Sequence, residues 1–504
     1  MSGLKSGKDL GHHLEQVPKY PFTQTECAHM ILLAQMPPVD TAAWWPFVCL
    51  LAGMLTVVTG IAWLKCHAFL SLMLAAMVVG LTHLLQPGEA PVLQDWLNAF
   101  NDPMMAFGGV AGQIAWLIAL ASVIGMCMMA NGASERIVRT LIQTFGAKRA
   151  PWALMASGFV LGIPVFFDTV FFLLIPLARG LALRTGHGYA ASIMAISSGA
   201  VITHTLVPPT PGPLFMAETL GLPLATGIWA GLITGLPVVV AAFSAGWLIN
   251  RHLEITPPNQ ATDKTPCPSS GTPSKEPGLM WSLLPVLLPV FLIGGSSILA
   301  LGMDVTGPMQ GWRGLLTLLG HKQVAMTLSA AIALHMLVCH RPMSRNQLSA
   351  RVAPALETAA IIILITAAGG AFGAMIKAAG IGEAIGTLAR ALGLNLILVA
   401  WITSALMKTA QGSGTVAMIT TTGIMASVVG EGGTLGFHPL YLYLAIGFGS
   451  GMISWMNDSG FWVVCRLSGL SEKETLRTWT LCLALISLLG LALTLAGSVL
   501  WPMA

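Results

Sequence analysis

Apolar residues occur along most of the chain in long runs that short polar segments separate. A helix that crosses the bilayer needs about 20 apolar residues, and ten runs each predict one such helix. They lie near 45–64, 66–85, 104–130, 190–207, 222–249, 281–301, 323–339, 354–376, 438–452 and 480–502. Residues 1–44 form a polar N-terminal segment instead. The pattern predicts an all-α polytopic membrane protein with about 10–14 transmembrane helices.

Two further apolar runs, 151–183 and 395–430, are too long for one straight helix. At 1.5 Å per residue each would extend roughly 50 Å, against about 30 Å of hydrocarbon. Gly162 to Pro164 interrupt the first run, and the KTAQGSG segment at 408–414 interrupts the second. We therefore predict broken helices or re-entrant hairpins, whose unpaired backbone groups need cover from protein or an aqueous cavity.

The chain divides into two halves that resemble each other. Residues 250–279 are rich in Pro, Ser and Thr, which is typical of a flexible linker between membrane halves at 45–249 and 280–504. The halves match at an offset of 248–250 residues, so that a repeat starts near 104 and again near 354. Interrupted segments at corresponding positions indicate a transporter binding site. The pattern leaves open whether the repeat is inverted or parallel.

Composition agrees with a membrane protein and excludes several other classes. Only 9% of residues are charged, against about 25% in globular proteins, and the mean hydropathy is +0.78. The net charge of +4 is small and dispersed, which disfavours nucleic-acid binding. The eight cysteines form no CxxC pair, and neither a metal site nor a cofactor is predicted. The absence of a GxxxxGK[ST] phosphate loop disfavours transport driven directly by ATP.

Basic residues predict the orientation of the chain, because they favour the cytoplasmic side. The loop at 86–103 carries only acidic charges, which places it outside. Two basic clusters are predicted inside: Arg136, Arg139, Lys148 and Arg149 in one, and Arg341, Arg345 and Arg351 in the other.

Two carboxylates lie in otherwise apolar or broken segments. Asp168 follows Phe166 and Phe167, where an unpaired charge would cost about 2.5 kcal/mol or more. It is a candidate proton carrier, or else a buried structural carboxylate. Asp458 lies in SWMNDSGFW at 454–462, where Asn457 and Ser459 offer hydrogen-bonding groups. This segment either binds a ligand or caps a helix, and the two roles are compatible.

The remaining candidates lie at three places: beside the break at 162–168, in the proline-rich segment at 204–213 and in the interruption at 408–415. Lys408 at membrane depth predicts an anionic partner, which is either a substrate carboxylate or an aspartate in a structural ion pair. His204 is a candidate proton relay or a structural histidine. Substrate hydrogen bonds are predicted from Thr169, Thr205, Gln411, Ser413 and Thr415. QGSG at 411–414 is a weak match to the GxSG motif of intramembrane serine proteases, because Gln411 replaces the first glycine.

Six ordered motifs make the chain resemble a known family. They are KCHAFLSLML at 65–74, GIPVFFD at 162–168, HTLVPPTPGP at 204–213, GGAFGAMI at 369–376, AQGSGTVA at 410–417 and NDSGFW at 457–462. Together they resemble the gluconate permease (Gnt) family of proton-coupled organic-acid symporters, within the ion transporter superfamily. The resemblance covers about residues 45–502 and implies two inverted repeats, elevator-like movement and a homodimer in the bacterial inner membrane.

We therefore expect a transporter, not an enzyme, that imports gluconate or a related hydroxy or sugar acid by proton symport. Asp168, Asp458 and His204 are the candidates for proton coupling, and Lys408 for neutralising the substrate carboxylate. Sodium-coupled transport and ion antiport are the alternatives, followed by a passive channel and an intramembrane hydrolase.

Overall fold

The computed structural model of the chain describes residues 41–503, with the exception of 88–89, 147–148, 186–187, 252, 254, 256, 258–276, 303–309, 392–393, 431–435 and 457. The predicted linker at 250–279 and the polar segment at 1–44 lie mostly outside these described residues. The first half contains nine helices within the described ranges: α1 (Thr41–Val58), α2 (Ala68–Leu84), α3 (Leu93–Ala130), α4 (Ala133–Phe145), α5 (Ala150–Leu161), α6 (Phe167–Thr185), α7 (Tyr189–Leu206), α8 (Pro211–Thr219) and α9 (Leu224–Ile249).

The second half continues with further helices in its described residues: α10 (Leu279–Gly302), α11 (Gln310–Gly320), α12 (Lys322–His340), α13 (Arg345–Ala378), α14 (Ile381–Ala391), α15 (Leu396–Gln411), α16 (Gly414–Gly430), α17 (Leu440–Gly449), α18 (Ser459–Ser468), α19 (Glu472–Thr475) and α20 (Leu481–Leu500). A π-helical turn at Leu476–Thr480 joins α19 to α20. Every apolar run predicted as a single span corresponds to a helix. Seven described stretches are long and apolar enough to cross a membrane by themselves, and shorter apolar helices accompany them.

Both long apolar runs are broken where the sequence predicted. The first divides into α5 and α6, and the second into α15 and α16. Pro164 lacks a backbone N–H and lies between α5 and α6. Gly412 ends α15 in the left-handed conformation, with φ of +84°, which favours glycine. Both breaks therefore have a local chemical cause.

The order of elements is similar in the two halves. A long helix (α3 or α13) is followed by a short one (α4 or α14), a broken pair, and two helices joined by an irregular segment. Equivalent pairs also pack alike, since α5 lies against α7 and α15 lies against α17. This order is what an internal repeat predicts, while the inverted relation of the two repeats stays a prediction.

Helices α7 and α17 form the centre of the molecule and are buried along almost their entire lengths. Around them, close packing depends on small residues. A Cβ atom added to Gly373 of α13 would lie 2.7 Å from Cα of Gly423 in α16, so the two backbones are in direct contact. Small residues allow this close approach in membrane proteins, where helices associate mainly by packing.

Candidate functional site

Four helices begin at one central cavity in the protein. They are α6 at Phe167, α8 at Pro211, α16 at Gly414 and α18 at Ser459, and each starting residue or its neighbour lines the cavity. The N-terminus of a helix carries partial positive charge from its unpaired N–H groups. The breaks in the sequence therefore direct four positive helix ends toward the same volume.

The central cavity has a volume of about 350 Å³, within the range of roughly 300–1,000 Å³ that is typical of ligand sites. Its charged or titratable lining residues are Asp168, His204, Lys408 and Asp458. The first two come from the first half of the chain and the other two from the second. The site thus lies where the two halves meet.

Lys408 and Asp458 form a salt bridge in the cavity wall. Lys408 Nζ lies 2.6 Å from Asp458 Oδ2, and the side chains are only 5% and 9% exposed. The same ammonium group donates a hydrogen bond of 2.7 Å to the carbonyl oxygen of Gly412, at the end of α15. The sequence allowed either a substrate carboxylate or an aspartate as the anionic partner of Lys408, and the structure shows an ion pair with an aspartate.

The carboxylate of Asp458 is held on both oxygens. Its Oδ1 accepts a 2.9 Å hydrogen bond from the backbone N–H of Gly460, which makes Asp458 the N-cap of α18. Its Oδ2 also accepts from the hydroxyl of Ser454, and the indole N–H of Trp479 donates to that hydroxyl at 2.6 Å. The ionised form of Asp458 is therefore well satisfied without any ligand.

Asp168 has a different environment. Its side chain is open to the central cavity near the start of α6, and the described residues give its carboxylate no hydrogen bond or salt bridge. His204 lies nearby on α7, with its ring edge-on to Phe166 at a centroid distance of 6.2 Å. Its Nδ1 is buried and has no hydrogen-bond partner in the described structure. Asp168 and His204 therefore retain polar capacity that a ligand could use.

Five of the predicted polar residues line the cavity: Thr169, Thr205, Ser413, Thr415 and Ser459. Two of them already use their hydroxyl groups, since Thr205 donates to Val201 and Ser413 accepts from the N–H of Val416.

Two predicted residues stand apart from this group. Gln411 is only 4% exposed, does not line the cavity, and leaves both amide atoms without a described partner. Asn457 lies outside the described residues.

Helix α13 also contributes to the cavity, which was not predicted from the sequence. Thr358, Ile362 and Ile365 line the cavity from this helix, and their spacing of four and three residues places them on one helical face. Glu357 and Thr358, at the start of an apolar run, were the available signal. Trp479 also lines the cavity and packs on Phe167, with ring centroids 4.8 Å apart, although nothing in its local sequence marks it.

Comparison with known sequences gives matches over nearly the entire described chain. A model of the GntP family permeases matches residues 45–500. A gluconate permease of Pseudomonas aeruginosa is 34% identical over 86% of this chain and 92% of its own length. The Gnt-II system L-idonate transporter of Escherichia coli is 29% identical over 90% of this chain and 98% of its own.

Solved structures with the same fold are also membrane transporters. The Alcanivorax borkumensis YdaH transporter superposes with a TM-score of 0.59 over 87% of this chain and 100% of its own, at 14% identity. The Neisseria gonorrhoeae efflux pump MtrF gives a TM-score of 0.56 over 89% of this chain and 98% of its own. At this identity the likeness concerns the fold alone. The family match and the relatives confirm the expectation of a transporter and not an enzyme, and the shared fold agrees with a multi-pass membrane protein.

Proposed function

Because the chain belongs to the GntP permease family, we propose that it imports gluconate or a related hydroxy or sugar acid by proton symport across a bacterial inner membrane. The main support is the central cavity, where positive helix ends, an ion pair and an open carboxylate occur together. Relatives whose names specify gluconate or L-idonate support a sugar acid as the cargo.

The helix ends at the cavity favour an anionic cargo. Helices α6, α8, α16 and α18 all begin there, and their dipoles stabilise negative charge. Lys408 adds a full positive charge, although Asp458 already balances most of it. The cargo carboxylate would lie between Lys408 and the start of α16, close to Ser413 and Thr415.

The hydroxyl groups of the cargo need several separate donors and acceptors. Thr169, Thr415 and Ser459 line the cavity with hydroxyls that bond to no described residue, and His204 adds a free ring nitrogen. A cargo with hydroxyls on successive carbons can satisfy these groups together. An acid without hydroxyls would cover these groups without pairing them, which costs about 1–3 kcal/mol for each group that it buries.

The charges of the cavity favour coupling to a proton. Two ionised carboxylates and one ammonium give the lining a formal charge of −1. A cargo carboxylate would make the charge more negative in a partly dry site, where like charges repel strongly. Protonation of Asp168 removes this increase, whereas the carboxylate of Asp458 is already bonded to Lys408, Ser454 and Gly460. Asp168 is therefore the proposed proton carrier.

Uptake into proteoliposomes tests the proposal. With an imposed inward proton gradient, we expect the protein to accumulate labelled gluconate or a related acid, and a protonophore to abolish the accumulation. Asp168→Asn should still exchange cargo across the membrane but should not accumulate it. Accumulation that follows a sodium gradient and ignores the protonophore would overturn proton coupling and favour a sodium-coupled anion transporter.

The oligomeric state is a further part of the proposal. The superfamily that the motifs resemble supports a homodimer with elevator-like movement of one part of each chain. Mass photometry in nanodiscs measures this directly, and a mass equal to one 52.9 kDa chain would contradict it.

A further inference from the structure

A second cavity, which we call the vestibule, adjoins the central one. It has a volume of about 220 Å³ and lies between α3, the break before α6 and the first turns of α13. Phe166, Thr169 and Thr358 line both cavities, so the two volumes meet at these side chains. Arg351 belongs to a basic cluster that is predicted to be cytoplasmic. The vestibule therefore lies between the central cavity and the predicted cytoplasmic side.

Two polar groups in the vestibule have no partner among the described residues. Arg351 is the only charged residue that lines it, is exposed, and forms no described salt bridge. Ser122 of α3 is only 7% exposed, and its hydroxyl makes no described hydrogen bond. By contrast, the hydroxyl of Thr358 already donates to the carbonyl oxygen of Pro354 at 3.0 Å.

We propose that the vestibule is a second binding site for the same cargo, in which Arg351 holds the carboxylate and Ser122 bonds to a hydroxyl. A guanidinium group matches a carboxylate with two parallel hydrogen bonds. The rest of the lining is mainly apolar, so it offers the carboxylate no competing charged group. The identity of the cargo rests on the proposed function, but the site itself rests on these unpartnered groups.

The site has a clear physical role in release. Once Asp168 has released its proton, the lining of the central cavity has a net negative formal charge, so a cargo anion that leaves it gains from a positive group nearby. Arg351 provides that group in the vestibule, and so raises the local concentration of the anion. Cargo would therefore pause in the vestibule before it reaches the cytoplasm.

Protection of introduced cysteines from modification tests the proposal. Met126→Cys reports on the vestibule, since Met126 lines only that cavity, and Ile365→Cys reports on the central cavity. Both are made in a background where the exposed Cys66 and Cys339 are serine, as are the cysteines at 27 and 267. A small neutral methanethiosulfonate is the modifying reagent, and D-gluconate is the protecting ligand.

At a gluconate concentration about four times its Kd, we expect modification at both reporters to slow by about five-fold, because an occupied site shields the cysteine. Arg351→Gln should remove protection at Met126→Cys and retain it at Ile365→Cys. Arg345→Gln, on the same helix but outside the vestibule lining, should change neither. Ser122→Ala should weaken protection at Met126→Cys alone.

The possible failures are distinguishable. Protection at Ile365→Cys without protection at Met126→Cys would overturn the vestibule site and leave the proposed function standing. Equal protection at Met126→Cys with and without Arg351 would overturn the role of this arginine. If the parent protein neither binds nor transports any hydroxy acid, both the proposed function and the vestibule site fail.

Discussion

The salt bridge between Lys408 and Asp458 allows a quantitative test of the site's electrostatics. The two side chains are 5% and 9% exposed, and their charged atoms are 2.6 Å apart. Removing one partner leaves the other charge buried and uncompensated, at a cost of about 3–5 kcal/mol in the free energy of unfolding. Lys408→Met and Asp458→Asn should each fall in this range. The asparagine of Asp458→Asn can still accept the hydrogen bond from the N–H of Gly460 and cap α18. The stability that this variant loses therefore reports mainly on the missing charge.

The double variant separates the ion pair from its surroundings. With both charges removed, nothing remains uncompensated, so Lys408→Met/Asp458→Asn should be more stable than either single variant. The double-mutant cycle should give a coupling energy near the upper end of the usual range, about 3 kcal/mol. Stability is measured by unfolding in mixed micelles with increasing SDS, followed by tryptophan fluorescence.

A matched control exists elsewhere in the chain. Lys322 and Glu218 also form an ion pair, but their side chains are 24% and 25% exposed. Lys322→Met should therefore cost less than Lys408→Met, because a partly exposed charge keeps part of its hydration when its partner is removed. If Asp458→Asn costs no more than this control, or if the single losses in the cycle simply add, the pair is not desolvated and the reasoning is refuted.

Two further predictions concern packing and orientation. Gly373→Ala should destabilise the protein by about 1–3 kcal/mol, because the added Cβ would lie 2.7 Å from Cα of Gly423. Gly108→Ala should have little effect in the same SDS unfolding assay, because no atom lies within 4 Å of its added Cβ. Equal effects of the two substitutions would contradict the close contact of α13 with α16. In whole cells, a membrane-impermeant maleimide should label Gln94→Cys from outside and should label Arg345→Cys only after permeabilisation; the reverse pattern would invert the topology.

Much of the fold follows from the sequence, because the bilayer restricts the possibilities. Apolar run length predicted the spanning helices, and Gly162 to Pro164 and the KTAQGSG segment predicted the breaks. The family match over residues 45–500 confirms the resemblance drawn from ordered motifs. Apolar run length, helix breaks and short motifs can all be recognised from residues that are neighbours in the sequence.

Contacts between residues that are far apart in the sequence were harder to predict. The sequence offered Asp168 and Asp458 equally as partners of Lys408, and only the three-dimensional arrangement distinguishes them. Trp479 supports Asp458 through Ser454, although its local sequence gives no sign of that contact. Such contacts depend on how helices pack, and an apolar sequence can pack in many ways.

The vestibule could not be predicted from the sequence for the same reason. Arg351 was predicted to be a topological marker on the cytoplasmic side, and Ser122 was not singled out at all. Their position on one cavity depends on how α3 and α13 cross, about which hydropathy carries no information. Chemistry contributed by separate helices therefore needed the structure.

The central claim is that a carboxylate cargo and a proton bind together at the cavity that contains Asp168. The most direct test counts the protons that the purified protein takes up from lightly buffered solution as it binds its preferred hydroxy acid, with a pH indicator as the readout. At a pH where Asp168 is ionised before the acid binds, we predict about one proton for each bound anion, and no uptake for Asp168→Asn. Binding of the acid without proton uptake by the parent protein, or with equal uptake by Asp168→Asn, would contradict the account.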